Sequence, residues 1–458
     1  MNILRMTGDQ QARLKAHLFP GDGFEAVAVA LCGRARGGGR EVWTVHQIVE
    51  IAHAGCIRGS DFVTWPTASL RKLLPEAAAK NMAVLKIHSH PTNYRQFSDR
   101  DDRADEELFR AVQRRVPGPH VSAVMLPDGE IFARIIDGPL PMVPIDRVAV
   151  VGSDLLFFDH SSTRNERDFD QRHRQAFGDR TTDLLGGLTV GLVGISGTGS
   201  PTTEMLTRLG VGRIVQIEPD IVEAKNLNRI YGATRADVSA GRNKAEMMAA
   251  YIARIDLGTE VISFNGRVDN PRAIDLLAGC DVVFGCMDSV EGRDTLNRLA
   301  TFYTLPYFDL GVRLDADGIG GVNSVSGSVH YLLPGASSLR SRGVYTDQQV
   351  YAEYLKRTDP AFYDDQVKRG YIHGVTVERP AVISINTAIA SLAVNELLAR
   401  LHPFRTVPNS EFAIHKILFS HGRTARRGEG PIDAELASWL GRGDCRPLLM
   451  CGRLESAA

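Results

Sequence analysis

The amino-acid sequence predicts an α/β protein with more than one domain, the second built on a doubly wound parallel sheet. Three observations carry this. From Phe24 to about Val124, strand-like and helix-like segments are mixed. Beyond Leu188 the order becomes strand, helix, strand, as parallel sheets with crossover helices require. Between them, roughly Ser161 to Asp179 is polar and charged and reads as a linker entering a surface arm. A length of 458 residues suits two to four domains. The expected division is 1–150, a linker and arm over 151–180, 181–425, and a tail over 426–458 without a readable pattern.

In the first part, EAVAVALCG and EVWTVHQIV are apolar runs joined by the turn-like RARGGG, so they predict a hairpin. MAVLKIHSH is a further strand. VSAVMLP and EIFARII continue the sheet around Pro127-Asp128-Gly129. SDRDDRADEELFRAVQRRV predicts a helix, with Leu108, Phe109, Val112 and Val116 on one face. Its acidic start and basic end complement the helix dipole.

A first constellation sits where that strand meets that helix. On a strand, His88 and His90 point to the same side. Asp101, in the first turn of the helix, can add a carboxylate oxygen. Two histidines and one aspartate leave one tetrahedral position open, as a catalytic zinc site requires. The attacking water needs a base. Glu25, at the head of an early strand, is the first choice, and Glu41 and Glu50 are the fallbacks. Ser98-x-x-Asp101 is also a capping box, which competes with the metal reading.

In the second part, LTVGLVGI is a buried strand and PTTEMLTRLG a helix. RIVQIE and DVVFGCMD are later strands, and VISINTAIASLAVNELLARL is a long helix. In GLVGISGTGSP, Gly194, Gly197 and Gly199 let backbone N–H groups approach a phosphate at a helix N-terminus. Ser200 is the expected helix cap and Pro201 suits the first turn. Glu218 ends the next strand and is placed to bind ribose hydroxyls. That much also fits NAD. Arg229, Lys244 and Asp288 favour ATP instead. A carboxylate attacking the α-phosphate expels pyrophosphate, two cations neutralise the charge, and an aspartate holds Mg²⁺.

These residues resemble two known families. His88-Ser89-His90-Pro91, seven residues, then Ser98-x-x-Asp101 is similar to the JAMM (MPN-plus) metalloprotease signature over roughly residues 20–135. The resemblance implies zinc on His88, His90 and Asp101, an activating glutamate, and Ser98 stabilising the oxyanion. VGISGTGS, Glu218, Asp220, the Asn226-Leu227-Asn228-Arg229 run, Lys244 and Asp288 resemble the MoeB/ThiF family and ubiquitin-activating adenylation domains. This second resemblance covers roughly residues 165–420. It implies a Rossmann-like fold, ATP and Mg²⁺. It also implies a homodimer in which Arg174 on the arm reaches the partner's site.

Composition excludes little else. The formal net charge of −1, from 53 basic and 54 acidic residues, gives no reason to expect nucleic acid or a membrane. Six scattered cysteines without a CxxC pair suit a reducing, cytoplasmic setting. No cysteine lies between Cys286 and Cys445, where relatives carry a thioester or persulfide nucleophile. The expected function is therefore sequential. Zinc-dependent cleavage occurs at the C-terminal tail of a ubiquitin-like or sulfur-carrier protein. Adenylation of the freed glycine carboxylate follows, and a conjugating or sulfur-donor protein receives the product. The alternatives are an NAD-linked oxidoreductase with an unrelated metal domain, and a scaffold with inactive sites.

Overall fold

The computed structural model describes residues 1–138, 141–160, 167–370, 372 and 381–457. The chain divides into two compact units. The first comprises residues 1–162, 302–304 and 439–451, and the second holds the rest.

In the first unit, β1 (Asn2–Thr7), β2 (Val27–Gly37), β3 (Arg40–Glu50), β4 (Ala83–Ser89) and β5 (His120–Met125) are joined by β6 (Ile131–Ile136), β7 (Val143–Pro144), β8 (Arg147–Val151) and β9 (Leu155–Asp159). They form one mixed sheet in the order β9-β8-β1-β3-β2-β4-β5-β6-β7. The β2–β3 hairpin is antiparallel and pairs Gly37 with Arg40 next to its turn. β2 is apolar throughout most of its length because both its faces are covered. Ala28, Ala30 and Cys32 enter one core with Leu14 and Leu18 of α1 (Gly8–Leu18). Val27, Val29 and Leu31 enter the other with Leu70 and Leu73 of α2 (Ala68–Ala79) and Phe109 and Val112 of α3 (Asp99–Gln113). The alternation of strand side chains assigns successive residues to opposite cores.

The C-terminal segment completes this unit. Gly33 N donates to Gly441 O at 3.2 Å, Thr44 Oγ1 to Gly441 O at 2.9 Å, and Asp444 N to Arg34 O at 2.8 Å. Residues 439–451 thus run against the β2–β3 hairpin, an association with no local sequence signal.

The second unit contains β10 (Thr189–Val193), β11 (Arg213–Ile217), β12 (Glu260–Phe264), β13 (Val282–Gly285) and β14 (Tyr307–Ala316), all mutually parallel. β15 (Val322–Leu332), β16 (Ile414–Leu418) and β17 (Arg423–Arg427) then add antiparallel, giving the order β12-β11-β10-β13-β14-β15-β16-β17. The sheet is α/β as expected but mixed rather than wholly parallel. The reason is the connection after β14. It is a tight turn with Gly318 and Gly320 at positive φ, so the chain returns as a hairpin instead of crossing over through a helix. α4 (Gln171–Gly187) lies ahead of β10, and α5 (Gly199–Arg208) follows it. α6 (Lys244–Ile255), α7 (Val290–Phe302), α8 (Asp347–Thr358) and α9 (Ile383–Leu401) come later. The strand order reverses direction between β10 and β13, which opens a crevice at the carboxyl ends of the strands.

Candidate active sites

The first site lies at the end of β4 on the face that carries α3. His88 Nε2 and His90 Nε2 converge to 3.1 Å. His88 Nε2 is 2.9 Å from Asp101 Oδ1, and His90 Nε2 is 3.5 Å from Asp101 Oδ2. The three side chains offer ligand atoms all within 4.8 Å of one another, a donor set of two imidazoles and one carboxylate that fits zinc. Glu25 Oε1 lies 3.9 Å from His90 Nε2, with its backbone pinned by Glu25 N to Gly59 O and by Arg58 Nε to Glu25 O. The fallbacks are elsewhere: Glu41 pairs with Arg36 and Glu50 with Arg13.

Asp101 does two jobs. Ser98 N donates to its Oδ2 at 2.8 Å and Ser98 Oγ at 2.7 Å, closing the capping box, while Oδ1 faces His88. The capping and ligand readings are therefore compatible in one residue. Burial disfavours a charged Asp101, but hydrogen bonds from His88 and His90 outweigh it and hold the carboxyl well below the usual range. Burial, aided by Lys86, pushes the His88 imidazole down to about 4 and keeps it neutral, the form that ligates metal. Burial acts the same way on His90, but hydrogen bonds to Asp101 and to Tyr94 O raise it overall. Burial pushes the Glu25 carboxyl up to about 7, against the pull of His90.

One group behind this site is absent from the motif. Asp105 follows Asp101 by one helical turn and is fully buried. Lys86 Nζ from β4 lies 2.7 Å from its Oδ1, and Arg134 NH2 from β6 lies 2.7 Å from its Oδ2. These contacts fasten α3 to the sheet in the register that sets Asp101 against His88. Asp105→Ala strands the buried Lys86 and leaves Arg134 only Asp102, so the expected cost is about 3–5 kcal/mol, read as a lower denaturant midpoint. An unchanged midpoint refutes this role.

The second site is a cavity of about 850 Å³ at the carboxyl ends of β10, β11, β13 and β14. Its wall includes Gly194, Gly197, Glu218, Asp220, Asn226 and Asn228, and also Arg229, Lys244 and Asp288. Gly194 has φ +91°, and a Cβ there would lie 2.8 Å from Cys286 O, so the loop passes β13 too closely for a side chain. Gly199 lies outside the wall, at the start of α5.

Several polar residues hold the loop as well as line it. Glu218 Oε2 accepts from Ile195 N at 2.7 Å and Oε1 from Asp220 N at 3.0 Å, so its carboxylate braces the glycine turn. Asn226 Oδ1 accepts from Glu223 N, and Lys244 Nζ pairs with Asp220 Oδ2 at 2.8 Å. Arg229 NH1 donates to Lys225 O. Ser200 is not the cap of α5. The cap position is Thr198, without a side-chain capping bond, while Ser200 Oγ donates to Ser196 O and accepts from Tyr231 N. Arg174 lies outside the cavity wall and is paired with Asp170, Asp179 and Asp183. The wall also contains Arg293 and Asn386, which motif reading passed over.

Taken together, the two sites define a fusion of a JAB-type domain with an adenylation-type α/β domain. The model of the prokaryotic homologs of the JAB domain matches residues 9–135, and that of the ThiF family matches residues 170–430. The chain belongs to the ThiF family and carries a JAB-type domain at its N-terminus. Ubiquitin-like modifier-activating enzyme 5 of Bombyx mori is 31% identical over 161 residues, covering 33% of this chain and 38% of that protein. The Aedes aegypti protein of the same name is 28% identical over 237 residues, 48% of this chain and 57% of that one. The chain thus spans less than two thirds of the curated relatives it matches. Among solved structures, E. coli MccB with ATP superposes with a TM-score of 0.45 at 15% identity, over 59% of this chain and 74% of that one. MccB in complex with N-formylated MccA gives 0.45 at 14%, over 89% and 98%. No helix among the described residues is long and apolar enough to cross a membrane.

Proposed function

We propose that the chain processes and activates a ubiquitin-like or sulfur-carrier protein at its C-terminal glycine tail. The observation that carries this reading is the gathering of Lys244, Arg229 and Asp288 with the glycine loop around one cavity. An oxidised dinucleotide has no use for that set, whereas a triphosphate does. In the adenylation step, a tail carboxylate oxygen bonds to the α-phosphorus of ATP. The bond to the β-phosphate oxygen breaks and pyrophosphate leaves. Arg229 and Lys244 neutralise the leaving charge, and Asp288 would hold Mg²⁺.

In the cleavage step, His88, His90 and Asp101 would hold zinc, which when bound supplies a Lewis acid for the scissile carbonyl. Glu25 accepts a proton from the attacking water and returns it to the leaving amine. Ser98 Oγ turns its one O–H from Asp101 Oδ2 to the developing oxyanion, while Ser98 N keeps its bond to that carboxylate.

The adenylate is the endpoint in this reading. Burial pushes the Cys286 thiol up to about 12, Cys445 is raised by the same cause, and Cys451 is buried. Neither Cys286 nor Cys445 has the lowered pKa of a thioester nucleophile.

The test uses the full chain with Mg-ATP and two forms of a glycine-tailed ubiquitin-like protein, one ending at the glycine and one extended beyond it. ATP–pyrophosphate exchange is expected with both. A zinc chelator should stop exchange only with the extended form. Exchange that ignores the protein substrate, or that the chelator leaves untouched in the extended form, overturns the coupling. A covalent adduct released by reducing agent overturns the adenylate endpoint.

A further inference from the structure

Asn386 stands in the first turn of α9, and its backbone N–H donates to Val382 O at 3.0 Å. It is 4% exposed, yet it lines the second cavity. Its side-chain amide is on the cavity wall, where a ligand atom can reach it. The amide lies directly over Gly197, where any Cβ would collide with it, and the Arg229 side chain flanks the same spot with Cδ 3.5 Å from that Cβ position. The first turn of α9 is fixed there from a second direction. Tyr231 OH and Thr387 Oγ1 are 3.1 Å apart, and Tyr231 N donates to Ser200 Oγ at 3.1 Å. A rigid mount and an amide at the cavity wall above the glycine loop describe a group held ready for a ligand atom.

We infer that Asn386 is a nucleotide-binding residue that donates a hydrogen bond from its amide to an oxygen of the ATP polyphosphate beyond the α-phosphate. The assignment rests on the adenylation reading above. It commits to the polyphosphate because the amide's neighbours are the glycine loop and the Arg229 stem, the groups that reading gives to the phosphates. Gly197 then has two reasons to be glycine: close approach of its backbone to the phosphates, and room for the amide above it.

The experiment is calorimetric titration of the full chain with Mg-ATP and, separately, with AMP, for the wild type, Asn386→Asp and Asn386→Ala. Aspartate keeps the shape over Gly197 but presents acceptor oxygens to a polyanion. A hydrogen bond to a charged group is worth enough that Asn386→Ala should weaken ATP by about tenfold or more, with Asn386→Asp weaker still. AMP, which lacks the outer phosphates, should bind all three alike. Thermal unfolding of each variant tells whether the loop is intact. Equal losses for ATP and AMP mean that Asn386 only supports the loop, and ATP affinity unchanged in Asn386→Asp removes it from the site; either overturns the inference. A wild type that fails to bind Mg-ATP sinks the adenylation reading itself, so the two failures are distinguishable.

Discussion

Asp288→Ala is expected to reduce ATP–pyrophosphate exchange by about 10²- to 10³-fold, the scale seen when one preorganised electrostatic group is lost from a reacting centre. Peptidase activity should stay at the wild-type level. Asp288 follows β13 at the point where the strand order reverses and lines the cavity beside the glycine loop. The side chains that would hold a metal in the JAB-type domain all lie within residues 88–101. A folded variant that loses both activities together refutes their independence. The same variant tests the homodimer. If Arg174 serves the neighbouring subunit, mixing inactive Arg174→Ala with inactive Asp288→Ala should restore part of the exchange, since one hybrid site keeps both residues. Arg174 must first leave Asp170, Asp179 and Asp183, its partners within one chain. Absence of rescue with proven subunit exchange places Arg174 outside the partner's site.

Glu25→Gln is expected to lower cleavage by about 10²- to 10⁴-fold, the usual contribution of a general base. It should retain about one zinc per chain. His88→Ala and Asp101→Ala should lose the metal and the cleavage together. The contrast follows from the geometry: His88 and Asp101 supply clustered ligand atoms, while Glu25 stands at 3.9 Å from His90 and outside that set. Glutamine keeps the shape and the packing but cannot take a proton. Normal cleavage by Glu25→Gln, or zinc lost from it as from His88→Ala, removes Glu25 from the role.

Local pattern reveals the parts of this protein that local physics decides. The β2–β3 hairpin, the strand bearing His88, α3 and the β10–loop–α5 unit are all legible, because each has its own periodicity, turn residues or cap. The parts that escape it depend on distant partners. β1 is six residues long and pairs in parallel with β3 and with β8, whose contacts lie some 40 and 140 residues away. The hairpin of β14 and β15 turns a parallel sheet mixed, and its only advance notice is a glycine-rich turn. Site chemistry divides the same way. The histidine and glycine motifs announce themselves by spacing. Asp105 and Asn386 are ordinary residues on helices whose significance comes from what packs beside them. Glu218 shows the converse: its position is legible, but its bracing of the glycine turn is visible only once Ile195 N and Asp220 N are in place.

The segment 439–451 lies far from the first strands along the chain but completes the unit built on them. During synthesis, the hairpin it covers emerges nearly 400 residues before Gly441 does. Folding of that unit therefore cannot be strictly vectorial. Residues as far as Asp444 must be made before the first sheet acquires this neighbour, and until then Gly33 N and Arg34 O lack their partners in that segment. Loss of residues 439–451 would harm the part of the protein made earliest, and the damage would be felt in the unit that bears the histidine pair.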